Sequence, residues 1–105
     1  MEQPNNKYIE QLSGDNYDFK ARMIAILKRE LPEEIAIYRN HLKNNDLADA
    51  AQCVHKLKHK ISLLGLEKSY YIAEEFEELL KNKSTLLQDK FEEILYVMQR
   101  FVEEL

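Results

Sequence analysis

The chain has little of what breaks or cross-links a backbone: two glycines, two prolines and one cysteine in 105 residues, with no tryptophan. So few breakers exclude long loops and frequent tight turns, and leave helices joined by short connections. The lone Cys53 excludes an intramolecular disulfide and supplies too few thiolates for a structural zinc site. No apolar run approaches the ~20 residues of a membrane span, and nothing resembles a signal peptide. Cationic excess is missing too. The net charge of −4, with a pI near 5.4, gives no general attraction to nucleic acid or anionic lipid. The expectation is a soluble, cytoplasmic protein with no nucleic-acid or membrane partner.

What is present is 45% hydrophobic and 32% charged, a globular balance, in a length that supports one core. A single domain over residues 1–105 is therefore expected. Residues 8–15, YIEQLSGD, give one or two helical turns stopped at Ser13-Gly14. Asp15 is expected to cap a helix over about 16–30 that carries Phe19, Met23, Ile26 and Leu27 at helical spacing. Pro32 suits the first turn of the next helix, with Glu33 and Glu34 at its positive end. That helix carries Ile35, Tyr38 and Leu42 and ends at Asn44-Asn45.

Asp46 caps a helix that stops at Gly65, and another covers about 67–82. Ser84 is expected to cap the last, whose stripe runs Leu87, Phe91, Ile94, Leu95, Met98, Phe101 and Val102. No strand-like alternation and no internal repeat occurs. The fold class is all-α: an antiparallel four-helix bundle over about 32–105, with the N-terminal helical segment packed against it.

One stretch stands out chemically: VHKLKHKISLLG, residues 54–65, with two histidines four apart among Lys56, Lys58 and Lys60. At about 100° per residue, Leu47, Ala50, Val54, Leu57, Ile61 and Leu64 share an arc of roughly 100° that faces the core. Gln52, His55, His59 and Ser62 fall on the opposite side, together with Leu63, which makes that surface partly apolar. Lys58 lies at the boundary, where its stem follows apolar surface and its ammonium reaches toward His55. His55 is thus not a core histidine, and three readings remain: a solvated face, a metal pair, or a nucleophile.

The metal reading has an i, i+4 histidine pair but no third ligand, and Lys56 replaces the acid of an HExxH motif. The nucleophile reading fits the chemistry of imidazole, whose reference pKa of about 6.5 leaves most of it neutral at physiological pH. A lysine three residues on can offset charge on a transferred phosphoryl group. An exposed helix face, rather than a pocket, suits transfer between proteins. Elsewhere, His41 is expected at the surface. The acidic series Glu74, Glu75, Glu77 and Glu78 is expected to be a solvated face that in part neutralises the lysines.

The segment AQCVHKLKHKISLLGLEK resembles the signature of histidine-containing phosphotransfer (HPt) domains, A-H-x-L-K-G followed by L-G with its glycine ten residues after the histidine. His55, Leu57, Lys58, Leu64 and Gly65 match that spacing, while Val54 replaces the alanine and His59 the first glycine. YIEQLSGD, the LPEEI helix and AEEFEELL are similar to the family's flanking elements, so the resemblance covers nearly the whole chain.

It implies a phosphoryl carrier in His-Asp phosphorelays, without catalytic activity of its own. His55 would be the phospho-acceptor and Lys58 the phosphate-stabilising cation. Gln52, His59, Ser62 and Leu63 would form the docking face. The implied partners are response-regulator receiver domains and a hybrid sensor histidine kinase. No cofactor is expected on this chain, because Mg²⁺ belongs to the receiver, and a monomer is expected. A glycine-rich ATP loop, the H-E-[LI]-[RK]-[TNS]-P kinase motif and receiver-type strands are all absent from the sequence. A helical module that binds a receiver or kinase without carrying phosphate is the alternative, motivated by His59.

Overall fold

A computed structural model describes residues 2–105, which form five helices and, among the described residues, no strand. Short α1 (Lys7–Ser13) is followed by α2 (Tyr17–Lys43), α3 (Leu47–Leu63), α4 (Glu67–Lys81) and α5 (Gln88–Glu103). The last four close a ring in which α2 touches α3, α3 touches α4, α4 touches α5 and α5 returns to α2. Short connections reverse the chain each time, giving the expected antiparallel bundle, with α1 lying against α2. Among the described residues, no helix is long and apolar enough to cross a membrane.

The expected break before Pro32 does not occur. A single 27-residue helix runs through it, so the first bundle helix starts at Tyr17 rather than near 32. Leu27, Leu31, Ile35 and Tyr38 form one uninterrupted buried stripe across the proline, while Pro32 and Lys28 are exposed. Pro32 removes one backbone donor, at a point where both it and Lys28, one turn earlier, lie on the exposed side of the helix. Core burial on one face therefore outweighs the local break signal.

Capping differs in detail from expectation. The Asn16 side chain, not that of Asp15, accepts from the Phe19 amide at 3.0 Å to start α2. Ser84 accepts from the Leu86 amide at 3.3 Å and so organises the preceding turn, while α5 begins at Gln88. Asp46 occupies the cap position of α3 without a side-chain cap bond.

Three helices end alike. Asn45, Gly65 and Lys83 take left-handed backbone at φ 61°, 74° and 64°. The two amides that close each end reach back three and five residues, as in Asn45 to Leu42 and Asp46 to His41. Gly65 is needed twice over. Besides its φ, a Cβ there would stand 2.6 Å from the side chain of Asn5, a residue whose backbone N–H donates to the Leu64 carbonyl at 2.9 Å. Glu2 completes this N-terminal clasp by accepting from the Lys68 and Ser69 amides at 3.0 and 2.8 Å, and caps α4 from outside the helix.

The core centres on Tyr38, Phe76 and Phe91, whose ring centroids lie 5.1 to 6.3 Å apart. Ala50 and Ala51 on α3 are fully buried, and their small size lets neighbouring backbones approach. Replacing Lys83 with glycine relieves a left-handed non-glycine residue and is expected to stabilise the fold by about 0.5–1 kcal/mol. Gly65→Ala is expected to destabilise by roughly 1–2 kcal/mol through strain and displacement of Asn5. Denaturant midpoints of the two variants should move in opposite directions from wild type.

Candidate functional site

The face expected from the α3 pattern is present. Gln52, His55, His59 and Ser62 are exposed, opposite buried Ala50, Val54, Leu57, Ile61 and Leu64. Leu63 is half-buried against the core, at the end of α3 that the N-terminal clasp crosses, so it offers less apolar surface than the wheel suggests. Beyond Ser62 the face continues into a groove of about 780 Å³ bordered by Asn5, Tyr8, Gly65, Tyr70 and Tyr71.

His55 has a side-chain exposure of 59% and is oriented from one side. Its Nδ1 lies 3.3 Å from Oε1 of Glu77, a residue of α4 that is only 7% exposed. The same oxygen takes Lys58 Nζ at 2.9 Å, and the other takes Lys81 Nζ at 3.2 Å. Lys58 is itself buried, and its ammonium also stands 5.5 Å from the centre of the Tyr70 ring. It faces the carboxylate behind the histidine instead of reaching outward.

Burial pushes the Glu77 carboxyl up. The hydrogen bonds from Lys58, Lys81 and His55 outweigh that and hold it below its ordinary value. Glu77 is therefore ionised at neutral pH. A carboxylate only accepts, so the hydrogen on His55 belongs on Nδ1 and the ring's lone pair on Nε2. Lys58 and Lys81 stand against Glu77, and Lys81 is shared with Glu78, so the two ammoniums behind the ring are matched by two carboxylates.

Sequence reasoning placed Glu77 in a solvated acidic face, and that expectation fails for this residue. Glu74, Glu75 and Glu78 are exposed, but Glu77 follows Ala73 by four and precedes Leu80 by three, both fully buried. That spacing was the available signal. The basic run of α3 is also quieter than it reads. Lys60 bridges Glu30 and Glu34 of α2 at 3.1 and 2.6 Å, and these bonds outweigh the opposing effect of its burial to raise its pKa.

His59 sits one turn beyond His55 with ring centroids 5.7 Å apart and planes at 73°. Among the described residues, the one cluster with three metal-ligand atoms together is elsewhere: His41, Asp46 and Asp49 at the α2–α3 corner, within 4.8 Å of one another. There the His41 Nδ1 stands 3.7 Å from Asp46 and 4.0 Å from Asp49, an ion-pairing geometry at the start of α3. Cys53 is half-buried, and burial pushes its thiol up, away from a reactive thiolate.

Because the folded Glu77 carboxyl titrates below its unfolded value, its stabilisation is present above the ordinary glutamate range and is lost as pH falls through the folded value. Glu77→Gln is expected to cost about 2–3 kcal/mol at pH 7 by leaving Lys58 buried without a counter-charge. The gap in denaturant midpoint between wild type and variant should close as the pH is lowered into the acid range.

The arrangement is thus an exposed imidazole with a buried carboxylate against its Nδ1 and two ammoniums holding that carboxylate. A family model described as Hpt domain matches residues 22–105. Neither the curated proteins nor the solved structures contain a match to this chain.

Proposed function

The chain belongs to the Hpt domain family, with the phosphotransfer role in two-component phosphorelays that membership carries, and we propose that its phosphoryl acceptor is Nε2 of His55. The observation that supports this most is the Glu77 contact, which commits Nδ1 as a donor and turns the nucleophilic nitrogen toward solvent.

In the proposed step, the Nε2 lone pair attacks the phosphorus of an aspartyl phosphate on a response-regulator receiver domain. The N–P bond forms as the acyl O–P bond breaks, and the electron pair leaves with the receiver's aspartate as a carboxylate. Reversal returns the phosphoryl group. As the N–P bond forms, the ring gains positive charge, and ionised Glu77 offsets it through the Nδ1–H hydrogen bond. Lys58 keeps Glu77 in place and lends its charge through space.

His55 stands on an open helix face, so the chain acts as a carrier rather than an independent catalyst. The receiver brings Mg²⁺ and its own acidic site. Gln52, His59 and Ser62 form the exposed docking face, with half-buried Leu63 at its edge and the groove by Tyr8 and Tyr71 as its extension. A modest surface of this kind suits transient encounters of a monomer with cytoplasmic receivers and with a hybrid sensor kinase.

Incubation with a phosphorylated receiver should leave acid-labile, alkali-stable phosphate on the wild-type chain and none on His55→Gln. Glu77→Gln should slow transfer roughly ten- to hundredfold, the worth of a charge-assisted hydrogen bond of about 1.5–3 kcal/mol. Label that survives in His55→Gln and vanishes in His59→Gln would assign the acceptor to the other ring. Receiver binding without any transferable phosphate would make the chain a binding module instead.

A further inference from the structure

We propose that His59 is the side chain that meets the phosphoryl oxygens on His55, supplying on the outer side of the ring the charge that the buried lysine supplies from behind. The inference rests on His55 being the acceptor. Both nearby ammoniums are committed to one place: Lys58 to Oε1 of Glu77 and Lys81 to Oε2, with Lys81 also 3.4 Å from Glu78. That carboxylate takes Nδ1, whereas the phosphoryl group forms on Nε2, at the other edge of the imidazole.

His59 is placed differently. Side chains on a helix lean toward its N-terminus, so a residue four positions on lies over its predecessor. Here the two rings meet edge to face at 5.7 Å, and both are exposed. A phosphoryl oxygen on one ring and an N–H of the other can span that separation with a charge-assisted hydrogen bond of about 2.8 Å. A phosphoryl group carries about −1.5 to −2 charge at neutral pH, and a protonated His59 beside it favours the dianion.

Other charged groups border this face. They are Lys56, Lys58 and Lys60 on α3, Glu77, Glu78 and Lys81 from α4, and Glu30 and Glu34 from α2, which hold Lys60. The histidine that replaces a glycine of the family pattern is then a phosphoryl-binding residue rather than an obstruction.

The test uses the full chain and phosphoramidate as donor. Nε2 of His55 attacks phosphorus, the P–N bond of the donor breaks, and ammonia leaves. The ³¹P resonance of phospho-His55 is then followed from pH 5 to 9 in wild type, His59→Gln and His59→Lys. The phosphoryl ionisation midpoint is expected about half a pH unit or more higher in His59→Gln than in wild type. His59→Lys, with a permanent cation, should restore or deepen the wild-type value. Coincident midpoints in all three proteins would overturn the role of His59 while leaving His55 as acceptor. No phosphohistidine in wild type, or a resonance that persists in His55→Gln, would overturn the acceptor assignment and this inference with it.

Discussion

Glu77 lies in the seam between α3 and α4 with both carboxylate oxygens occupied and almost no contact with water. A charge in that position is tolerable only because donors surround it, and each donor also does something else. Lys58 ties the middle of α3 to α4, Lys81 closes the last turn of α4, and the His55 imidazole takes its orientation from the same oxygen that holds Lys58. Register between the two helices and presentation of the ring are thus one interaction. The bundle cannot slide along this seam without also turning the imidazole.

The remaining ion pairs distribute α3's basic character away from its exposed face. Lys60 is drawn to α2 by two glutamates, and Arg39 grips Glu92 through two nitrogens to join α2 to α5. Acidic neighbours absorb most of the lysine charge seen in the sequence. Behind His55 the two cations, Lys58 and Lys81, are held by Glu77 and Glu78.

Much of this was legible in advance. The apolar arc of α3 put His55 and His59 on the outside, and Gly65 marked the helix end because only a left-handed residue closes it in that way. Misreadings came where two local rules competed. At Pro32 a helix-start signal lost to a buried stripe running four, four and three residues from Leu27 to Tyr38. At Glu77 a run of acids looked solvated, although one of them shared the core side with Ala73 and Leu80. The distance of 22 residues between His55 and Glu77 explains why the contact escaped a reading made helix by helix. Which carboxylate meets which imidazole depends on how two helices pack, and no periodicity encodes that.

The clasp formed by Glu2 and Asn5 has a practical corollary. Glu2 holds the opening amides of α4, and a little over two turns further along the same helix comes the carboxylate that aims the imidazole. An affinity tag or fusion partner that tugs this leading strand off the bundle would fray the beginning of α4. Signalling assays on such a fusion would then report a loosened scaffold as though it were a poor substrate, so a carboxy-terminal tag is the safer handle.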